Sequence, residues 1–147
     1  MRKKLLVFMV FLTIYSCVNE PSDIQKCSIN VENGISYVDG KKFTGACNIF
    51  YSDSILWKTR TYKRGLIKKE VGYYLPGGEL EYIGYQKNGE LDGEFVSYYR
   101  NGKVSIEGVL NEGFYDGEWD YYDDDGSLNK KLIYEDNKLI DSIFYEN

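Results

Sequence analysis

The chain has 147 residues, with 18 Lys and Arg against 23 Asp and Glu and no histidine. The missing imidazole removes the commonest general base and the commonest metal ligand together, and the acidic balance rules against a surface built to grip nucleic acid. Fifteen tyrosines and fifteen glycines point instead to short aromatic strands joined by tight turns.

The first element is a targeting segment. Arg2, Lys3 and Lys4 make a basic start, Leu5 to Ile14 is apolar but too short for a comfortable bilayer span, and Ile14-Tyr15-Ser16-Cys17 follows. This resembles a bacterial lipoprotein signal with its lipobox. The resemblance implies cleavage after residue 16 and a diacylglyceryl group on Cys17, which becomes both lipid anchor and new N-terminus. Several acyl chains, at about 0.8 kcal/mol per buried methylene, hold a protein on a membrane without a transmembrane helix. Cleavage removes three of the eighteen basic residues, leaving 15 against 23 acidic ones, a formal charge of −8. The expected location is the cell envelope, anchored by lipid to the outer membrane or facing the periplasm.

Residues 17–33 are polar, contain Pro21 and lack a sustained period, so they are expected to be an anchor and tether. Export places Cys27 and Cys47 where a disulfide can persist, and a bond between them would pin the tether to the first repeat. Unbonded core thiols are the alternative. On a loop-entropy estimate such a bond contributes on the order of 3 kcal/mol.

From residue 34 to 147 one motif is repeated. Adjacent aromatic pairs recur at Phe50-Tyr51, Tyr73-Tyr74, Tyr98-Tyr99, Tyr121-Tyr122 and Phe144-Tyr145, spaced 23, 25, 23 and 23 residues apart. Residues that tolerate positive φ fall in columns, with Gly65, Gly89, Gly113 and Asn137 at one turn and Gly78, Gly102 and Gly126 at the other. Between turns the period is two. Val104, Ile106, Gly108 and Leu110 share one side while Ser105, Glu107 and Val109 share the other. Each repeat therefore reads as a β-hairpin, and the whole as an all-β, elongated, single-layer antiparallel meander. Such a sheet encloses no globular core, so tyrosine rings must cover neighbouring strands, and in-strand Gly84 and Gly108 leave space for them.

Gly89-Glu-Leu-Asp-Gly93-Glu-Phe-Val-Ser-Tyr98-Tyr99-Arg-Asn-Gly102 and Gly113-Phe-Tyr-Asp-Gly117-Glu-Trp119-Asp-Tyr121-Tyr122-Asp-Asp-Asp-Gly126 resemble the bacterial variant of the MORN repeat, often grouped with YwqK-type antitoxins. The resemblance covers about residues 34–147, roughly four repeats and a closing strand. It implies non-catalytic binding, with an antitoxin or immunity-like role toward a toxin domain.

The densest charge feature is acidic. Glu112, Asp116, Glu118, Asp120, Asp123, Asp124 and Asp125 fall together, and no Lys or Arg occurs between Lys103 and Lys130. Contiguous carboxylates on a strand point to opposite faces and lack the alternate spacing of a calcium loop, so no metal or other cofactor is expected. A thin sheet also offers no dry pocket to raise a catalytic carboxyl's pKa, and no histidine stands ready to activate Ser97 or Ser105, so no catalytic residue is assigned.

The better use is recognition of a basic protein, with Tyr115, Asp116, Trp119, Tyr121, Asp123, Asp124 and Asp125 as candidate contacts. Two other readings stand beside it. One is a structural envelope protein; the other is a lipid-binding repeat module using the basic zone of Lys58, Arg60, Lys63, Arg64, Lys68 and Lys69.

Overall fold

The structure, a computed structural model, describes residues 28–52 and 54–146. The signal segment, Cys17 and Cys27 lie outside the described residues. Twelve strands form among the described residues, and no helix. A small sheet contains β1 (Asn30–Glu32), β2 (Ile35–Val38) and β3 (Lys41–Lys42). A nine-stranded antiparallel meander then runs through β4 (Gly45–Ser52), β5 (Ile55–Lys63), β6 (Leu66–Tyr73), β7 (Leu80–Lys87), β8 (Glu90–Tyr98), β9 (Val104–Asn111), β10 (Phe114–Tyr122), β11 (Leu128–Glu135) and β12 (Lys138–Phe144). Every strand of the large sheet pairs with its sequence neighbours, and the sheet stays open with β4 and β12 at its edges.

One difference from the sequence reading concerns the boundary at residue 34. Asn30 to Glu32 are already paired with Tyr37 to Ile35, so 34 falls inside a hairpin and not at the end of a tether. The local cause is the Asn33-Gly34 dipeptide, with φ of 50° and 76°, a sequence suited to the two-residue turns that need positive φ at both central positions.

The same chemistry makes one edge of the large sheet. Arg64-Gly65, Asn88-Gly89, Glu112-Gly113 and Asp136-Asn137 all have positive φ at both residues. At the opposite edge the connections are longer. Gly102 N–H donates to Tyr99 O at 2.9 Å and Gly126 N–H to Asp123 O at 2.9 Å, each glycine at positive φ, closing a type I turn with a glycine bulge.

The structure also corrects the register of the aromatic pairs. The second turns align Tyr74, Tyr99 and Asp123, since Tyr74 N–H bonds Glu79 O, Tyr99 N–H bonds Lys103 O and Asp123 N–H bonds Ser127 O. Tyr121-Tyr122 is therefore one position earlier in its repeat than Tyr98-Tyr99.

Repeats are tied together at both edges. Gly65 N–H donates to Phe43 O, Gly113 N–H to Leu91 O and Asn137 N–H to Tyr115 O, each docking a turn on the chain 22 residues earlier. At the other edge the Tyr74 hydroxyl donates to Tyr98 O and the Tyr99 hydroxyl to Tyr122 O, both at 2.7 Å. Contacts between neighbouring repeats are the way a stack without a globular centre gains cooperativity.

Burial concentrates on one face. Pairing registers place Cys47, Arg60, Glu70, Gly84, Phe95 and Gly108 in one row across the sheet, and Trp119, Leu132 and Ser142 continue it beyond the β10 bulge. Trp119, 2 % exposed, lies flat over Gly108, where any Cβ would overlap the indole. Gly72 beneath Tyr82 repeats the arrangement, while Gly84 is approached most closely by the Leu91 side chain, with the Phe95 ring at ordinary contact distance. Centroid separations of 6.0 Å for Tyr82–Phe95, 6.1 Å for Phe95–Trp119, 4.4 Å for Tyr115–Trp119 and 5.1 Å for Tyr115–Tyr134 join the rings into one ribbon. Aromatic pairs at these separations contribute about 0.5–1.5 kcal/mol each beyond burial.

Candidate functional site

The acidic and aromatic residues singled out in the sequence lie along β10 and the turn after it, but they do not form one patch. At about 3.4 Å per residue, Tyr115 and Asp124 stand roughly 30 Å apart, at opposite edges of the sheet. Near the β9–β10 turn, Phe114 is 55 % exposed and Tyr115 40 %. Tyr115 is held by its stacking on Tyr134 and its edge contact with Trp119, so it presents a rigid ring at little entropic cost to a partner. Glu112, Asp116 and Asp124 form no ion pair among the described residues.

Trp119 sits between these ends and has a different role. Its Nε1 donates to Val109 O at 3.1 Å, and its burial removes it from any outside contact. The indole is scaffold that positions Tyr115. Glu118 and Asp120 are engaged as well, both pairing with Lys131, the Asp120 contact at 3.6 Å.

The run Asp123-Asp124-Asp125 builds the second turn. Asp125 Oδ1 accepts from the Ser127 N–H at 2.8 Å and the Ser127 hydroxyl at 2.6 Å, and these bonds hold its carboxyl below the usual carboxylate range. The preceding turn clamps the backbone, with Asn101 Nδ2 donating to Asp124 O at 2.7 Å and Lys103 Nζ to Asp125 O at 2.5 Å. Asn129 Nδ2 donates to the Asp123 carboxylate at 3.1 Å. Tyr121 is half-buried with Lys130 Nζ 4.7 Å from its ring centre, and burial first, then Tyr134 and Tyr115, pushes its hydroxyl pKa up. Tyr99, Asn129, Lys130 and Tyr134 belong to this surroundings and were not singled out from sequence. Their sequence signals were structural ones, the aromatic pair for Tyr99 and the strand alternation for Asn129, Lys130 and Tyr134.

The basic zone divides in two. Lys58 Nζ lies 3.0 Å from Glu70 Oε1 and Arg60 Nε 2.5 Å from Oε2, while the Tyr82 hydroxyl donates to Oε1 at 2.5 Å. Burial of Glu70 would raise its pKa, but the bonds from Tyr82, Arg60 and Lys58 outweigh it and hold the carboxyl low. These two cations are therefore internal to the fold. Lys63 and Arg64, joined by Lys41 and Lys42, remain exposed at one edge, because the Arg64 N–H bonds Thr44 Oγ1 at 2.9 Å and brings the β5–β6 turn beside β3.

Cys47 is buried and disulfide-bonded; its expected partner Cys27 is outside the described residues. Among the described residues no group of three or more Cys, Asp or Glu is placed to hold a metal ion, and no helix is long and apolar enough to cross a membrane. No protein-family model matches the chain, and no curated protein matches it either.

Proposed function

We propose that this chain is a lipid-anchored repeat protein of the cell envelope that binds a basic protein partner without catalysis, in the manner of an antitoxin or immunity protein. The observation that carries this reading is the surface along β10. At its β9–β10 end, an exposed Phe114 shares a face with the uncompensated carboxylate of Asp116, Glu112 stands in the turn, and the fixed, exposed ring of Tyr115 lies on the other face. Charge of one sign steers association and excludes like-charged competitors, while rigid rings supply the buried anchor. A protein is the ligand that can engage rings and carboxylates on both faces of one end of a sheet, since standard interfaces bury about 800 Å² on each side.

The test is affinity capture from crosslinked cells with the lipid-free chain as bait, repeated with Tyr115→Ala/Asp116→Asn. Support is a basic protein retained by the wild type and lost by the variant, with strand circular dichroism unchanged. Equal capture by both would reject the surface.

A second reading has its own observation. Lys41, Lys42, Lys63 and Arg64 make an exposed basic edge near the end expected to carry the lipid. Each basic residue close to an anionic surface adds about 1 kcal/mol, so salt-sensitive binding of the lipid-free chain to anionic vesicles, abolished by charge reversal at these four positions, would favour lipid recognition.

A further inference from the structure

Where the tyrosine rung of the second turns gives way to Asp123, a groove of about 390 Å³ is lined by Tyr99, Tyr121, the Tyr122 position, Asp123, Asn129 and Lys130. In the two preceding repeats this position is Tyr74 and Tyr99, each spanning to the next repeat's backbone. Asp123 is shorter and turns to the Asn129 amide, so the space a ring fills elsewhere is left open. In the repeat before, Arg100 covers the Tyr74 ring at 4.5 Å. Its counterpart two turns on is Asp124, which makes no corresponding cover among the described residues.

The lining is polar and of mixed charge, and that limits what can enter. A net cation would meet the Lys130 ammonium, held 4.7 Å from the Tyr121 ring centre. A net anion would meet the Asp123 carboxylate. An apolar molecule would strip water from both. What suits donors and acceptors placed around aromatic rings is a neutral molecule rich in hydroxyls with one flat, aliphatic C–H face.

The rings are already fixed. The Tyr99 hydroxyl is bonded to Tyr122 O, and the Tyr121 ring stands between its cross-strand neighbours Ile106 and Lys130; the Tyr122 ring, bonded to Glu107, lies on the opposite face of the sheet. Holding the Tyr99 and Tyr121 rings costs a ligand no rotamer entropy. Asn129, having given its amide to Asp123, keeps a carbonyl oxygen without a partner among the described residues. The volume is at the small end of ligand sites, enough for one or two pyranose rings.

We propose that this groove binds a neutral saccharide, with the Tyr99 and Tyr121 rings packing on the sugar and Asp123, Asn129 and Lys130 bonding its hydroxyls. The proposal stands apart from recognition of a protein partner, since it is tested on the isolated chain with small molecules.

The experiment is saturation-transfer NMR and calorimetry on the lipid-free chain. The probes are N,N′-diacetylchitobiose, cellobiose, maltose and mannobiose, with lysine, glutarate and alanine as cationic, anionic and zwitterionic controls. The expected result is saturable binding of at least one disaccharide with Kd around millimolar or tighter, weakened about tenfold by Lys130→Gln and by Asp123→Asn and unchanged by Lys87→Gln on a distant strand. Should Asp123→Asn disturb the turn, Lys130→Gln alone decides. No saturable binding of any disaccharide, binding unaffected by Lys130→Gln, or tighter binding of a control than of every sugar would each overturn the proposal.

Discussion

The two ends of the same row across the sheet are held by opposite chemistry. At β5 to β7 the row is ionic, with Glu70 locked among Lys58, Arg60 and Tyr82. At β8 to β11 it is aromatic, with Trp119 laid over Gly108 and joined to Phe95 and to the Tyr115–Tyr134 pair. The charge inventory follows the division, with eight basic residues against four acidic over 28–75 and six against seventeen over 76–147. A repeating backbone thus fixes where a side chain stands but leaves open which force fills the position. Where the row is ionic, cations are consumed inside; where it is aromatic, carboxylates are free to face outward along β10.

The largest expected effect comes from breaking the aromatic end. Gly108→Val cannot coexist with the indole above it, and Trp119→Ala removes the most buried large side chain among the described residues; each should cost about 3–5 kcal/mol, the range for losing a buried aromatic. Denaturant midpoints measure it. A loss below about 1 kcal/mol for both would mean that the Trp119 site is not the centre of packing. Trp119→Phe, which keeps a ring over Gly108, should recover more than half of the loss.

The ionic end should respond less to mutation and more to pH. Glu70→Gln leaves Lys58 and Arg60 without their anion, but both reach solvent in part, with side-chain exposures of 17 % and 32 %, so the cost should be about 2 kcal/mol and not the 3–5 of a wholly buried pair. The folded pKa of Glu70 is depressed from an ordinary 4.5. Its contribution is therefore complete above pH 4.5 and is lost as pH falls through the lower folded value. Acid unfolding of the wild type should be steeper than that of Glu70→Gln, while Gly108→Val should leave the acid slope unchanged. If Glu70→Gln and wild type lose stability in parallel below pH 4.5, the network is not what holds this end.

Next in size is Tyr122. Its hydroxyl donates to Glu107, and this bond, with burial second, pushes its pKa up to about 12. A raised folded value means the contribution is complete below the ordinary 10 and is lost as pH climbs toward about 12. Tyr122→Phe should cost about 1.5 kcal/mol at neutral pH, as for a hydrogen bond to a charged group. It should also flatten the alkaline limb of a thermal-stability profile.

Much of the fold was legible because turn chemistry is local. Asn88-Gly89, Glu112-Gly113 and Asp136-Asn137 declare two-residue turns, and Gly84 and Gly108 announce rings overhead. The register of the aromatic pairs was legible only against the turn glycines, not from the pairs themselves. Tyr98-Tyr99 and Tyr121-Tyr122 look alike in sequence, yet the turn glycines Gly102 and Gly126 are 24 residues apart and the pairs 23, so the second pair slips back by one position and Asp123 takes the rung. The ionic centre was hidden too. Lys58 and Arg60 read as members of an outward basic zone, with nothing to single out Glu70, until pairing across β5 and β6 brings Arg60 opposite Glu70. Trp119 was misjudged for the converse reason, because an indole among carboxylates looks exposed until Gly108 is seen beneath it.

The smallest effect tests whether the two ends are coupled at all. Tyr74 joins the β6–β7 turn to the next repeat and Tyr99 joins that repeat to the β10–β11 turn, through hydroxyl bonds to Tyr98 O and Tyr122 O. Phenylalanine at either position keeps the ring and deletes one neutral bond, at a cost of about 1 kcal/mol. The carbonyls sit at the sheet edge, so water replaces part of what is lost. If neighbouring repeats interact only pairwise, Tyr74→Phe and Tyr99→Phe should add to within about 0.5 kcal/mol, and the denaturant slope should stay constant in both single variants and the double. A double variant that loses much more than the sum, with a reduced slope, would show the ionic and aromatic ends beginning to unfold separately, and the rungs would then be the joint between two stacks.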